Sequence, residues 1–249
     1  MKKFIYAFSA LALLFVSCSS DSDSSSDDAS GPVLLKKIIE TDYNGDVFTT
    51  NYFYEGNKIV KTVDDDGYYE KFYYTGDLIT KMEFYSDTDL LEQTDLFTYN
   101  GNQQLVSFQR LLHNEDLGFK EVYVYDVSGN VSVTYYNGDL TSQTNETATG
   151  NVTFVNGEIS VMNDVDSGVT KTYTYDTKNT PMKNVLGMNK LAFYDSGNDQ
   201  GISHNVLTLT KSDGESVVST YTYNSNDFPV TCVDDDSVLG NTTFQFFYE

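Results

Sequence analysis

The chain has 249 residues, of which 39% are hydrophobic and 14% aromatic, and its formal net charge is −22. This hydrophobic content is typical of a globular protein, and a chain of this length can bury a core without disulfides or structural metals. The negative charge repels phosphate backbones and anionic lipid headgroups, which argues against nucleic acid as a partner.

Residues 1–17 have the features of a secretory signal peptide. Lys2 and Lys3 form a positive start, and the apolar run from Phe4 to Val16 is too short for a membrane span. The four residues before Cys18, LFVS, resemble a bacterial lipobox. The resemblance implies that Cys18 becomes the mature N-terminus and carries several acyl chains, which anchor the protein at the membrane. The alternative is an ordinary signal peptide with an incidental cysteine.

The segment after Cys18 predicts a tether. Residues 19–31 contain only Ser, Asp, Ala and Gly, so they have almost nothing apolar to bury and we expect them to be disordered. The chain therefore divides into a signal peptide (1–17), a lipidated cysteine with its tether (18–31) and a folded domain (32–249). Acidic residues directly after the cysteine resemble the signal by which Bacteroidota place lipoproteins on the outer face of the outer membrane. This resemblance implies surface exposure, with the periplasmic leaflet as the alternative.

A short aromatic phrase recurs along the folded domain. It consists of an aromatic pair separated by one residue, then a turn, then an apolar residue, as in YFYEGNKI at 52–59. The second aromatic of each phrase occupies positions 54, 74, 99, 125, 154, 175, 223 and 248. Most gaps lie between 20 and 29 residues, but one of 48 predicts a further, degenerate unit around Phe193 and Tyr194.

Each phrase predicts one β-hairpin. In TKTYTYD at 170–176, Lys171, Tyr173 and Tyr175 fall on one face of an extended strand and the threonines fall on the other. Asn-Gly or Glu-Gly supplies the tight turn. A return strand follows and ends in a looser acidic turn, as at 63–67, 85–89, 163–168 and 211–215. We expect the paired aromatics to share an interior.

The repeats predict an all-β fold. Eight or nine hairpins correspond to roughly 16 to 18 antiparallel strands. Because a twisted sheet of this size curls, we expect an antiparallel meander forming one large curled sheet, a half-pipe or cocoon. A closed barrel or a sandwich is the alternative.

Two parts of the sequence resemble known proteins. YVYDVSGNV at 123–131 is similar to the tyrosine-aspartate repeat of bacterial wall-associated and RHS-type proteins, whose repeats build long curling β-sheets and sometimes shells. Residues 173–232 resemble lipoproteins of unknown function that are abundant in Bacteroidota. The resemblance implies a location and a fold without an established activity.

Few residues of the sequence suggest a catalytic or metal-binding site. The two histidines, His113 and His204, stand apart from each other and from cysteine, so we expect them in turns or on the surface, and no catalytic, cofactor-binding or metal site is predicted. Cys232 is expected to be a free, buried thiol. The acidic runs 64–66 and 234–236 favour solvated turns over calcium sites.

The sequence favours a non-enzymatic, lipid-anchored binding or scaffold lipoprotein of the cell envelope. A glycan or protein ligand would meet rows of aromatic side chains or pair with an open edge strand. The alternative is a glycan-active hydrolase that uses two carboxylates about 5 to 9 Å apart. No cofactor and no oligomeric state are predicted.

Overall fold

The computed structural model describes residues 31–163, 168–195 and 201–249, and in this part of the chain sixteen antiparallel strands form one closed barrel. The strands are β1 (Leu35–Thr41), β2 (Val47–Glu55), β3 (Lys58–Asp64), β4 (Tyr69–Thr75), β5 (Leu78–Tyr85), β6 (Leu91–Tyr99), β7 (Leu105–Leu112), β8 (Leu117–Tyr125), β9 (Val131–Gly138), β10 (Gln143–Val155), β11 (Glu158–Asn163), β12 (Thr170–Tyr175), β13 (Val206–Lys211), β14 (Ser216–Tyr223), β15 (Pro229–Asp236) and β16 (Gly240–Tyr248). Each strand pairs with its neighbours in sequence, and β1 pairs with β16 to close the barrel.

The all-β antiparallel meander is confirmed, whereas the open half-pipe is wrong and the closed barrel, predicted as the alternative, forms instead. Closure pairs the first strand with the last along Lys37–Thr41 and Thr243–Phe247. The described sheet is therefore left without a free edge. It offers no open edge strand with which a ligand could pair.

A β-bulge recurs at one end of the barrel and explains the closure. Six strand pairs shift register by one residue beside the second aromatic of the repeat, at Phe53/Tyr54, Tyr73/Tyr74, Thr98/Tyr99, Thr153/Phe154, Thr174/Tyr175 and Thr222/Tyr223. Each bulge bends its strand and increases the local right-handed twist. The same bend repeated around the sheet curls it until its two edges meet.

The tyrosine hydroxyls join neighbouring hairpins at this same end. The ladder between β5 and β6 stops at Lys81 and Leu96, and beyond it the Tyr99 hydroxyl donates to the Ile79 carbonyl at 2.8 Å. The same contact joins Tyr54 to Leu35, Tyr125 to Leu105 and Tyr248 to Pro229, at 2.7 to 2.9 Å. The second aromatic thus supplies a hydrogen-bond donor beyond the end of the backbone ladder.

The two faces of the wall differ in character. The first aromatics or apolar residues of the repeats point inward and are buried, among them Phe72, Phe97, Tyr123, Val152 and Tyr173. The outward rows carry many threonines together with lysine and asparagine, as in Thr170, Thr172 and Thr174 of β12. The predicted shared interior for the paired aromatics is confirmed.

A long connection from β12 to β13 fills one end of the barrel, which we call the plugged end. Leu191, Ala192 and Phe193 of this connection are buried, and the described helical structure is a short 3₁₀ turn, Met188–Lys190. A barrel of sixteen strands is wider than its wall side chains can fill, so an inserted segment supplies the missing core. The prediction of a degenerate hairpin around Phe193 and Tyr194 is wrong, because these residues belong to the plug.

The opposite end, which we call the acidic end, carries the predicted acidic turns. Asp42 and Asp139 close turns at this end, and Asp126 closes a turn at the plugged end. The carboxylate of each accepts hydrogen bonds from backbone N–H groups two to four residues later. The turn predicted at 163–168 lies largely outside the described residues. Within those residues, no helix has the length and apolar character needed to cross a membrane.

We expect Tyr99→Phe to lower the free energy of unfolding by about 1 kcal/mol, because the ring stays buried while the Ile79 carbonyl loses its donor. Urea unfolding followed by circular dichroism measures the change. Tyr43→Phe, at a half-exposed turn position, is the control and should leave stability unchanged. Equal effects of the two substitutions would remove the role assigned to the hydroxyl.

Candidate functional site

A cleft of about 180 Å³ opens at the plugged end, between the plug and the turns that join β6 to β7, β8 to β9 and β10 to β11. Its lining combines aromatic rings with amide side chains, one lysine and two turn glycines. The lining residues are Gln103, Gln104, Leu105, Tyr125, Gly129, Phe154, Gly157, Asn189, Lys190, Phe193 and Ile202.

The aromatic walls of the cleft are held in place by their own contacts. Phe193 meets Phe154 edge-on at 5.7 Å and Tyr123 at 5.2 Å between ring centroids. The Tyr125 hydroxyl is fixed on the Leu105 carbonyl at 2.9 Å. A ligand would therefore meet rings that are already ordered, which reduces the entropy lost on binding.

The size and lining of the cleft limit what it can hold. Drug-sized ligands usually occupy cavities of about 300 to 1,000 Å³, so this cleft suits a single ring or a short side chain. Aromatic faces contact the apolar side of such a group. The amides of Gln103, Gln104 and Asn189 carry donors and acceptors suited to hydroxyl groups.

A second cluster lies in the lumen, where the plug meets the wall. Arg110 on β7 makes a bidentate pair with Asp95 on β6, at 3.1 and 2.9 Å. Its remaining nitrogen donates to Asp195 of the plug at 2.7 Å. Gln93 donates to Asp95 at 3.0 Å. Because the Asp95 side chain is fully buried, these bonds offset its desolvation and hold Asp195 of the plug against the wall.

Two inward-facing glutamates have perturbed acidity. Burial raises the pKa of Glu121 to about 7, although its carboxylate accepts bonds from the Tyr123 hydroxyl and from the Asp195 N–H. Burial also raises the pKa of Glu70 to about 7, and Thr62 donates to it at 3.2 Å. These carboxyls exchange protons near neutral pH.

The predicted histidines lie at opposite ends of the barrel. His113 follows β7 at the acidic end and its Nε2 lies 2.9 Å from the Thr94 hydroxyl. His204 belongs to the plug connection, and its Nδ1 lies 3.1 Å from Glu158. Both occupy turns or bends, as predicted, and the structure does not bring them together.

The acidic runs serve turns and strand ends. Asp64 accepts a bond from the Thr50 hydroxyl at 2.7 Å, and Asp65 accepts one from the Thr49 N–H at 3.1 Å. Asp236 accepts bonds from the N–H groups of Val238 and Leu239. In the described residues, no group of three His, Cys, Asp or Glu side chains is placed to hold a metal ion.

Of the two cysteines, only Cys232 lies within the described residues. Cys232 is buried, as predicted, and its thiol donates to Asp234 at 3.1 Å. Burial raises its pKa, so the thiol stays protonated and unreactive. The predicted lipidation site, Cys18, lies outside the described residues.

Sequence reasoning missed the cleft and the charged cluster. The cleft is built from three turns and the plug, and its residues are far apart in the chain. Arg110 offered a signal, because it is the chain's one arginine and lies on a strand with inward-facing Phe108. A lone arginine at an inward strand position predicts a buried carboxylate partner.

We expect the stability of the wild type to fall relative to that of Glu70→Gln as the pH rises from 5 to 8. The folded pKa of about 7 lies above the ordinary value of 4.5. The proton on Glu70 therefore stabilises the fold below the ordinary pKa, and this contribution is lost as the pH rises through 7. The difference can reach about 3 kcal/mol.

Urea unfolding at pH 5 and pH 8 measures this difference. Glu146→Gln, at an exposed position of β10, is the control and should follow the wild type at both pH values. Parallel behaviour of the wild type and Glu70→Gln would contradict the raised pKa.

No family model and no curated protein matches the chain. Among solved structures, it is similar to a porin-like protein from Bacteroides vulgatus ATCC 8482, with 14% sequence identity over 87% of this chain and 99% of that chain and a TM-score of 0.51. A porin-like protein from Bacteroides uniformis ATCC 8492 matches at 14% identity over 82% of this chain and 78% of that chain, with a TM-score of 0.37. The likeness to the first structure concerns the fold, an all-β barrel.

Proposed function

We propose that this protein is a lipid-anchored protein of the bacterial cell envelope that binds a ligand without performing chemistry. The anchor is Cys18, the location is the outer membrane with the barrel exposed at the cell surface, and the ligand is a glycan seated in the plugged-end cleft. The observation that carries the binding role is the cleft itself, which places ordered aromatic rings beside amide side chains.

The outward face of the barrel supports anchoring over insertion. A wall that spans a membrane presents an apolar band about 25 Å tall to the lipid. Here the outward rows of β12 and β14 carry Thr170, Thr172 and Thr174, and Thr220 and Thr222. Rows of this kind favour water over the hydrocarbon core of a bilayer, so the wall does not insert as a membrane span. The lipobox-like segment before Cys18 supplies a separate means of attachment.

The cleft favours a sugar over a purely apolar group. An apolar group would satisfy the rings of Tyr125 and Phe154 but would strip water from the nearby amides without replacing its hydrogen bonds. A sugar ring offers C–H groups to an aromatic face and hydroxyls to amides. The small volume fits one terminal sugar residue, with the rest of the glycan outside the cleft.

The binding test is a glycan array probed with residues 32–249, followed by calorimetry with the strongest glycan. We expect Asn189→Ala to weaken binding about 2- to 12-fold, the effect of one lost hydrogen bond to a neutral ligand. Asn241→Ala, on the outer face of β16, is the matched control. No glycan bound, or equal effects of the two substitutions, would contradict glycan binding at the cleft.

The anchoring test uses Cys18→Ser. We expect the full-length wild type in the membrane fraction and exposed to protease on intact cells, and the variant released from the membrane, because the acyl chains have no attachment site. Fractionation at high salt, which removes electrostatic attachment, and immunoblotting measure both. Membrane retention of Cys18→Ser would remove the lipid anchor, and protection of the anchored wild type on intact cells would place it in the periplasm.

The alternative, a glycan-active hydrolase, is supported by the lumen carboxyls. Glu70, with its pKa raised to about 7, lies on the same inward face as Asp95, which Arg110 holds. Glycoside hydrolysis uses one protonated and one ionised carboxyl. The Arg110 guanidinium favours the ionised form of Asp95, although burial raises the pKa of this carboxyl. Turnover of an array-selected glycan that is abolished in Glu70→Gln would establish this alternative over simple binding.

A further inference from the structure

One sector of the outer wall is basic, although the chain as a whole is acidic. Its outward lysines are Lys37 on β1, Lys61 on β3, Lys71 on β4 and Lys81 on β5. Pairing across the sheet makes the last three neighbours. Lys61 lies opposite Lys71, which in turn lies opposite Glu83, two residues from Lys81. We call this sector, with its aromatic residues, the basic wall.

Aromatic rings lie between these lysines. Lys61 sits over the ring of Tyr69 at 4.1 Å, and Lys71 over that of Tyr85 at 4.7 Å. Tyr69 and Tyr85 stack at 4.8 Å between centroids. At the edge of the sector, Lys37 sits over Phe247 at 4.2 Å. These contacts hold the ammonium groups in fixed positions on the wall.

Three rings of the basic wall are open to solvent. Phe53, Tyr73 and Phe247 are 48%, 37% and 38% exposed. From β16 to β5 the sector crosses five strand spacings, roughly 24 Å. Lysines alternating with exposed aromatic rings are the composition of surfaces that rest in the headgroup region of a bilayer.

The negative charge elsewhere does not cancel this sector. Screening at physiological ionic strength limits charge interactions to about 8 Å. The acidic turns lie at the end of the barrel, where one of them reaches the wall through Asp89, which accepts a bond from the Tyr69 hydroxyl at 2.8 Å. On the strands of the wall itself, Glu83 is the neighbouring acid, and its carboxylate is shared by Lys81, Tyr73 and Tyr85. Four lysines against these two acids leave this face locally positive, although the chain as a whole is acidic.

We propose that the basic wall docks on the anionic headgroups of a phospholipid bilayer. Lysines 37, 61, 71 and 81 meet the lipid phosphates, and Phe53, Tyr73 and Phe247 enter the interface between them. The docking would add a second membrane attachment to the proposed Cys18 anchor. The binding of the barrel to lipid is independent of that anchor and can be measured without it.

The test is co-sedimentation of residues 32–249, which form the complete barrel with its own core, with two kinds of vesicle. One contains phosphatidylcholine alone, and the other contains phosphatidylcholine with phosphatidylglycerol. We expect binding to the anionic vesicles that weakens as salt rises. Each lysine near the surface contributes about fivefold, so the triple variant Lys61→Gln, Lys71→Gln, Lys81→Gln should bind roughly a hundredfold more weakly.

A matched variant tests whether binding depends on the lysines of the basic wall or only on the net charge of the protein. Lys120→Gln, Lys178→Gln and Lys183→Gln together remove the same charge at positions outside the basic wall, and should bind like the wild type. A second variant guards against loss of the fold: Lys61→Arg, Lys71→Arg and Lys81→Arg keep charge and ring contacts and should also bind.

Equal losses in the two glutamine variants, equal binding to both kinds of vesicle, or no sedimentation of the wild type at low salt would each overturn the proposal. So would full suppression of vesicle binding by soluble glycerol phosphate at millimolar concentration, because the site would then recognise a free phosphate and not a lipid surface. Residues 32–249 do not include Cys18, so these outcomes do not bear on the anchoring test.

Discussion

The bond from a repeated tyrosine hydroxyl to a carbonyl of the neighbouring hairpin is the interaction on which the barrel depends. Towards the plugged end, the ladders between β5 and β6 and between β7 and β8 end at Lys81 and at Ser107. Buried carbonyls beyond those points need donors. Tyr99 and Tyr125 supply them, so each repeat completes the one before it.

The width of the barrel sets the second constraint. Sixteen strands enclose more space than their inward side chains fill, and the plug brings Phe193 and Tyr194 into that space. Tyr194 contacts Phe97 and Phe108 edge-on at 5.1 and 4.9 Å between centroids. The plug also forms one wall of the cleft through Asn189, Lys190 and Phe193. The segment that completes the core therefore also creates the candidate binding site.

Much of the architecture could be predicted because strand alternation fixes which side chains share a face. Tyr173 and Tyr175 are two residues apart, so in a strand their side chains lie on the same face. The Gly and Asn residues after each aromatic pair predict that the chain reverses there. Closure could not be predicted, since a bulge beside Tyr99 adds one residue without changing the aromatic pattern. The plug was mistaken for a repeat because Phe193 and Tyr194 offer an adjacent aromatic pair, although they have none of the alternation that a strand requires.

The candidate sites were harder to predict because their residues are far apart in the sequence. Asp195 is 85 residues from Arg110, and the contact depends on how deeply the plug enters the lumen. The basic wall was hidden for a different reason. A net charge of −22 averages over the whole chain, whereas strand alternation sorts the few lysines of β3, β4 and β5 onto one face.

The pairing of β1 with β16 has a consequence for crowding. Molecules gathered on a surface meet one another far more often than molecules free in solution, and unpaired strands then act as templates for fibrous assembly. In the described sheet the first and last strands satisfy each other. Copies of this protein can therefore accumulate side by side without offering one another a place to polymerise.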